Sequence, residues 1–177
     1  MKYRNIKKPY STCTSVFIIM DGVNSHETAL YGGYKYGNGT VYVGYWNDNG
    51  QKDSEGHELY PDGSRYDGMY KDGLFNGLGV LIFADGAKYE GEFLEGWFHG
   101  SGIFWRADGM RYEGEFRGGK VWGLGLTTFK DETNGFPRYE GFFKECKLIK
   151  KMKCPEAIQK AQKIGFMART QFDNGSM

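Results

Sequence analysis

Hydrophobic and polar residues alternate in short runs along the middle of the chain, and glycines interrupt the runs. In the stretch YEGEF, Tyr89, Gly91 and Phe93 fall on one side of an extended strand. Glu90 and Glu92 fall on the other side. The loop EGWFHG, the apolar run GIFWR and the Asp-Gly turn of ADGM follow. Each block of this kind predicts a β-hairpin that leads through a tight turn into the next one. The bare backbone at Gly91 is expected to lie under an aromatic ring from a neighbouring block.

The hairpin block is an internal repeat. A tyrosine, a glycine two residues later and an aromatic ring four residues later recur every 23 or 24 residues. Full units begin at Tyr42, Tyr66, Tyr89 and Tyr112, and half-units lie at 32–40 and 139–148. The array over residues 32–148 therefore predicts an all-β fold, a single-layer antiparallel β-meander of about ten strands.

The two ends of the chain differ from the repeat. Residues 1–31 do not match it and are predicted to be a poorly ordered leader. Residues 149–177 are predicted to form a basic linker, one α-helix and a tail, with Pro155 at the first helical position. The residues expected on the buried side of the helix are Ala157, Ala161, Ile164 and Ala168, with Ile158 beside them. Since Gly165 costs roughly 1 kcal/mol relative to alanine, the helix is expected to form by docking and to cap the open end of the sheet.

The repeated motif resembles a known family. The units follow the pattern YxGxWxxGxxxGxG with an apolar strand and a DG turn, which is similar to the MORN repeat. The stretches DGLFNGLGVL, FADGAKYEGEF and EGFFKECKLIKKMKCPEAIQKAQ further resemble the small MORN repeat-containing protein 4 and retinophilin family. In that family one short helix ends the array and no enzyme domain follows. The resemblance therefore implies a non-catalytic protein-binding adaptor.

The resemblance also implies a partner and a location. Small MORN proteins of this kind bind the tail of class III unconventional myosins. They travel with these motors to actin-based protrusions such as filopodia, stereocilia and photoreceptor microvilli, the rhabdomeres. We therefore expect a cytoplasmic protein that is enriched in actin-based cell projections and holds an extended or helical myosin segment on its sheet.

Composition narrows the function classes. The chain has 177 residues, a formal net charge of +1 and 40% hydrophobic residues, which predicts one domain and gives no general attraction to nucleic acid. Cys13, Cys146 and Cys154 are odd in number and lack CxxC spacing, so they indicate neither a disulfide framework nor a metal site. No segment is long enough to span a bilayer. A monomer is expected, with homodimerisation through the sheet face as an alternative.

The sequence lacks a set of residues that is typical of a catalytic site. The glycine pairs 77/79, 100/102 and 123/125 resemble part of a phosphate-binding loop, but the third glycine is absent and strands follow. The three histidines, His26, His57 and His99, have no recurring Ser, Cys or Asp companion. We therefore predict that the chain is not an enzyme and needs no cofactor and no metal.

The repeated aromatic side chains have two possible roles. Their recurrence in every unit favours a structural aromatic ladder, and the alternative is a groove that receives a peptide. The ladder residues are Tyr66, Tyr70, Tyr89, Phe93, Tyr112 and Phe116.

The opposite side of the first strands carries a regular acidic stripe. It consists of Asp67, Glu90, Glu92, Glu113, Glu115 and Glu140. Such a stripe is either a solvated face or a docking face for a basic amphipathic partner. Apolar residues that vary between units are candidate anchors: Met69, Phe75, Phe98, Trp105, Trp122 and Phe142. The predicted partner-binding set is Met69, Glu90, Glu92, Trp105, Glu113, Glu115, Trp122 and Phe142.

A cluster of lysines precedes the predicted helix. Its members are Lys144, Lys147, Lys150, Lys151 and Lys153. The cluster is either a solvated linker or a site for anionic phospholipids, since runs of four to eight basic residues hold anionic membranes. A peripheral membrane binder is therefore the alternative to the adaptor.

Overall fold

The strands of the array pair with their neighbours in chain order. A computed structural model describes residues 16–19, 30–135 and 138–172, so most of the predicted leader and the end of the predicted tail lie outside the described residues. The elements are β1 (Val16–Ile19), β2 (Leu30–Lys35), β3 (Val41–Trp46), β4 (Lys52–Leu59), β5 (Arg65–Lys71), β6 (Leu74–Ile82), β7 (Lys88–Leu94), β8 (Trp97–Trp105), β9 (Arg111–Arg117), β10 (Lys120–Thr128), β11 (Glu140–Lys144), β12 (Lys147–Lys151) and α1 (Pro155–Phe172). The result is one open antiparallel meander followed by one helix, which confirms the predicted fold class.

The described residues form twelve strands, compared with the roughly ten that were predicted. One additional strand, β1, lies within the predicted leader and pairs with β2. The other, β12, includes residues that were assigned to the basic linker. Glu145 and Cys146 both have positive φ, which reverses the chain tightly enough for Lys144 to pair with Lys147. The lysine cluster therefore lies largely on an edge strand.

The connections within the units are tighter than the predicted loops. Leu94 pairs directly with Trp97, so only Glu95 and Gly96 form the turn between β7 and β8, at φ of 49° and 85°. Gly96 N–H also donates to the Phe75 carbonyl at 2.9 Å, which joins successive hairpin turns. Most of the stretch EGWFHG is therefore strand, because a two-residue turn with positive φ matches the sheet twist.

One face of the sheet is a continuous ladder of aromatic rings, here called the ladder face. Its buried members are Tyr42, Tyr66, Tyr70, Tyr89, Phe93, Tyr112, Phe116 and Phe143, which include all six predicted ladder residues. Tyr89 makes edge-to-face contacts with Phe93 at 5.1 Å and with Phe116 at 5.0 Å, centroid to centroid. These contacts join each unit to the next, so the sheet has a core although it is a single layer.

Glycines make room for the tyrosine rings of the ladder. A Cβ at Gly91 or Gly102 would lie 2.6 Å from the Tyr89 hydroxyl oxygen. That hydroxyl donates to the Glu92 carbonyl at 2.9 Å. The ring that covers each glycine pair thus comes from the same unit, so the expected stacking by a neighbouring unit is wrong. The reason is that the tyrosine reaches along its own hairpin to a carbonyl three residues ahead.

Helix α1 lies across the opposite face of the sheet, here called the helix face, and contacts strands β5 to β10. The expectation that it caps the open end is wrong, because apolar side chains such as Val80 and Ile103 form a buried row on this face. The buried helix residues are Ile158, Ala161, Gly165, Ala168 and Phe172, whereas Ala157 and Ile164 are half-buried. A Cβ at Gly165 would lie 3.1 Å from Ile103 Cδ1, so this glycine allows the helix to approach closely. Within the described residues, no helix has the length and apolar character needed to cross a membrane.

Candidate functional site

The predicted partner-binding residues all belong to the helix face. Alternation along β7 places Glu90 and Glu92 opposite Tyr89 and Phe93, and the same rule holds in β5 and β9. The structure therefore brings the predicted set onto one side of the sheet, but α1 covers part of that side.

Two of the predicted carboxylates lie beneath α1. Glu90 is 0% exposed, and its carboxylate is 2.6 Å from Lys88 Nζ and 3.0 Å from Arg169 Nη1. Glu113 is buried and accepts a hydrogen bond from Gln162 Nε2 at 2.9 Å. Both carboxylates thus bind the chain's own basic, amphipathic helix.

The ends of the acidic stripe are also buried. Asp67 is paired with Arg65 at 3.1 Å and with His57 Nδ1 at 2.6 Å. The hydrogen bond that the Asp67 carboxylate accepts from the His57 ring raises the pKa of His57 above its usual value. Glu140 accepts a hydrogen bond from the backbone N–H of Cys154 at 2.8 Å, just before α1. The expectation of a solvated acidic face is therefore wrong for Asp67 and Glu140. Both side chains are buried and are bound by neighbouring groups of the chain.

Glu92 and Glu115 each hold an irregularity in the following strand. The Glu92 carboxylate accepts the Ser101 N–H at 2.6 Å, and the Glu115 carboxylate accepts the Leu124 N–H at 2.6 Å. The pairing register between the two strands of each hairpin shifts next to these hydrogen bonds. The glycine that precedes each bonded amide, Gly100 or Gly123, has positive φ. The spacing of nine residues between carboxylate and amide recurs in both units. That recurrence is the sequence signal that indicates a structural role.

Glu92→Ala is expected to destabilise the protein by about 1–3 kcal/mol, because the buried Ser101 N–H would lose its acceptor. Glu92→Gln keeps an acceptor oxygen and should lose less. Urea unfolding of both variants measures the difference, with the exposed Glu95→Ala as the matched control. Equal stability of Glu92→Ala and the control would contradict the assigned role.

The predicted apolar anchors differ in accessibility. Met69 packs beside Val80 and Phe172 under the end of α1. Trp105 is half-buried and lies under Lys88, whose Nζ is 4.6 Å from the ring centroid. Both side chains therefore contribute to packing on the helix face.

Trp122 and Phe142 lie near the other end of the helix face. Two cations make cation–π contacts with the Trp122 ring. The Arg117 guanidinium lies 5.6 Å and Lys144 Nζ lies 5.4 Å from the ring centroid. Phe142 pairs across from Leu124 and is half-buried. These two predicted anchors remain partly accessible.

Three exposed apolar side chains near the two-residue turns of the same face were not predicted. Leu74, Leu94 and Trp97 are 49%, 43% and 61% exposed. Leu94 lies four residues after Glu90 and pairs with Trp97, so both point to the helix face. They sit at the hairpin turns, beside the region that α1 covers. Together with Trp122 and Phe142 they form what we call the apolar strip: Leu74, Leu94, Trp97, Trp122 and Phe142.

The ladder face has a second layer of rings. Phe75 stacks on Tyr66 at 3.7 Å and Phe98 stacks on Tyr89 at 4.0 Å between ring centroids. The outer rings are therefore already packed against the ladder and offer less free surface than the strip.

In the first full unit, a buried ion pair takes the place of these outer rings. Lys52 pairs with Glu58, and the rings of Tyr36, Tyr42 and Tyr70 surround the ammonium group. Burial lowers the pKa of Lys52 and raises the pKa of Tyr36 to about 12. The pair is enclosed, so it has a structural role at this end of the ladder.

The predicted lipid-binding lysines are accessible. Lys147, Lys150 and Lys151 are exposed on the edge strand β12, and Lys153 follows it. The apolar side chains of Ile149 and Met152 lie between them. In the described part of the chain, no group of His, Cys, Asp and Glu side chains could hold a metal ion.

The structure thus defines a class of protein. It is an array of hairpin repeats that exposes a row of apolar and basic side chains. Comparison with known proteins identifies the family. Residues 42–65, 66–88, 89–111 and 112–133 match the model of the MORN repeat. The chain is also 60% identical over 143 residues to a Drosophila melanogaster protein described as MORN repeat-containing protein 4 homolog, covering 81% of this chain and 72% of that protein. The chain belongs to the MORN-repeat family.

Proposed function

We propose that this protein is a non-catalytic adaptor that binds a segment of a partner protein along the apolar strip. The observation that carries the proposal is the exposure of Leu74, Leu94 and Trp97 in adjacent hairpins. Contiguous exposed apolar side chains commonly mark interaction sites, and a tryptophan with an open ring is a frequent binding anchor.

The strip is better suited to a partner than the other surfaces of the sheet. On the ladder face, Phe75 and Phe98 are stacked on buried rings. On the helix face, α1 occupies the middle of the sheet and binds Glu90 and Glu113. The hairpin side of the helix face leaves apolar surface that no other described segment covers.

The partner that we propose is the tail of a class III unconventional myosin. The support is the resemblance of the repeats and the C-terminal segment to small MORN proteins that bind this tail. Binding to such a motor would enrich the protein in actin-based projections, since the motor moves along actin. We propose the apolar strip as the site of that contact.

Calorimetric titration with a recombinant class III myosin tail tests the proposal. One-to-one binding is expected, with only moderate weakening at high salt, because apolar contacts are not screened. Trp97→Ala is expected to weaken binding at least about tenfold, since aromatic anchors often dominate an interface. The control is Phe166→Ala, which removes an equally exposed ring from the outer side of α1. Equal loss in both variants, or full affinity in Trp97→Ala, would contradict the location.

A second candidate function is binding to anionic phospholipids through the lysine cluster. The observation in its favour is that Ile149 and Met152 are 60% and 43% exposed between the lysines. Apolar side chains among basic ones suit a bilayer interface. Phosphatidylserine vesicles titrated in parallel should then bind at low salt and be released at high salt. Lys150→Glu combined with Lys151→Glu should abolish that binding and leave the binding of myosin tail unchanged.

A further inference from the structure

We infer that the partner segment is amphipathic along its length, with apolar residues over one half of the strip and acidic residues over the other. The inference rests on the proposed function and specifies the chemistry and direction of the ligand. It replaces the basic partner that the acidic stripe suggested.

The first half of the strip is apolar. It lies at the turns of the β5–β6 and β7–β8 hairpins, where Leu74, Leu94 and Trp97 are exposed. The cross-strand pairs at these two turns contain one cation, Lys71, whereas the pairs at the next two turns consist of cations alone. Trp97 also lies against the next turn, since its ring is 2.8 Å from where a Cβ of Gly119 would be. The Trp97 ring therefore lies against this turn, and most of its surface remains exposed.

Basic side chains flank the second half of the strip. The equivalent turns of the β9–β10 and β11–β12 hairpins carry the cross-strand pairs Arg117–Lys120 and Lys144–Lys147, here called the basic corner. Arg117 and Lys144 flank the Trp122 ring. All four cationic side chains are exposed. An apolar ring between two cations is suited to a ligand that has both apolar and negatively charged groups.

Carboxylates of this protein do little to neutralise the basic corner. Lys120 is 3.8 Å from Glu145, and both side chains are more than half exposed, so this pair contributes little. The nearby Glu115 carboxylate is held by the Leu124 N–H. Excess positive charge therefore remains, and it favours a partner that brings Asp or Glu to this end.

The geometry sets a direction and a length. From the β5–β6 turn to the β11–β12 turn the strip crosses six strands, which is about 29 Å at roughly 4.8 Å per strand. A helix of about 20 residues has that length, as does an extended segment of about 9 residues. Its apolar residues would lie over β5–β8 and its acidic residues over β9–β12. An anionic bilayer shares the negative charge but has no such order of apolar and acidic groups.

Selection of random 20-residue displayed peptides on the full chain tests this inference. We expect enriched peptides to carry Leu or aromatic residues in one half and Asp or Glu in the other. The variant with Lys120→Glu and Lys144→Glu should instead enrich Lys or Arg in that half. The control variant with Lys160→Glu and Lys163→Glu makes the same charge change on the outer side of α1 and should select the same peptides as the wild type. Trp97→Ala should lose at least about tenfold in affinity for an enriched peptide. Thermal unfolding checks that each variant is folded.

Several outcomes would overturn the inference. These are enrichment of basic or neutral peptides, no enrichment at all, or an unchanged selection after charge reversal at the basic corner. Binding of phosphatidylserine vesicles that is lost in the Lys120→Glu, Lys144→Glu variant, without peptide enrichment, would assign the corner to lipid. If acidic peptides are enriched but the myosin tail does not bind in the calorimetric titration, the proposed partner is wrong and the inference stands. Myosin binding that is insensitive to charge reversal, with no acidic peptides, would keep the adaptor and remove the inference.

Discussion

Tyr89→Ala is expected to lower the free energy of unfolding by about 3–5 kcal/mol, the largest effect of any single change considered. Tyr89 is fully buried, stacks on Phe98 at 4.0 Å and contacts Phe93 of its own unit and Phe116 of the next unit. Its hydroxyl donates to the Glu92 carbonyl. Because each unit is stabilised by its neighbours, the cavity should loosen the hairpins on both sides. Urea unfolding measures the loss.

The matched control for this prediction is Tyr89→Phe. It keeps the ring and removes only the hydroxyl, so it should cost about 1 kcal/mol. A second control, Trp97→Ala, removes an exposed ring and should change stability much less. If Tyr89→Ala unfolded at the same urea concentration as the wild type, the ladder would not be the core of the array.

Arg169→Ala is expected to lower the free energy of unfolding by about 2–3 kcal/mol. Arg169 lies 3.0 Å from the Glu90 carboxylate, which is fully buried beneath α1. Breaking a buried ion pair costs about 3–5 kcal/mol when a charge is left uncompensated. The loss should be somewhat smaller here, because Lys88 still neutralises Glu90 and Arg169 is partly exposed. Urea unfolding, with helix loss followed by circular dichroism, measures it.

Two further variants distinguish the ion pair from general damage to α1. Gln171→Ala removes another hydrogen bond from the last turn of the helix, to the exposed Glu55, and should cost well under 1 kcal/mol. In the Glu90→Gln background, Arg169→Ala should cost clearly less than in the wild type. Equal losses in the two backgrounds would show that Glu90 and Arg169 are not coupled.

The repeat period predicted the hairpins and the ladder well, because alternation leaves one assignment for residues such as Tyr89 and Phe93. Strand periodicity fixes which side chains share a face without any tertiary information. The same rule gave Glu90 a face, but it gave no information on what covers that face. An acidic stripe has the same pattern whether water or a helix lies over it.

The position of α1 could not be predicted from its own pattern. Its apolar side and the apolar return strands around Val80 and Ile103 are both visible in the sequence. Which sheet surface receives the helix depends on contacts between residues far apart in the chain, such as Gly165 with Ile103. That non-local choice also decided that Glu113 is buried while Trp122 stays partly accessible.

The strip residues Leu74, Leu94 and Trp97 were missed for a local reason. Trp97 lies in a glycine-rich stretch whose composition favours a loop, and loop residues carry no face assignment. The two-residue turn at Glu95 and Gly96 extends the strand, and only then do Leu94 and Trp97 acquire a common direction. The positive φ of Glu95 is uncommon for a residue other than glycine, so composition alone does not indicate it.

The most direct test of the binding surface uses the four tryptophans, Trp46, Trp97, Trp105 and Trp122. Trp97 and Trp122 belong to the strip, whereas the Trp46 indole N–H donates to the Gly32 carbonyl on the ladder face and Trp105 lies under Lys88. We would follow their indole N–H signals by NMR while adding a recombinant class III myosin tail. We predict that the signals of Trp97 and Trp122 shift saturably and those of Trp46 and Trp105 stay in place. A shift of Trp46 with Trp97 unchanged would place the partner on the ladder face and contradict the account.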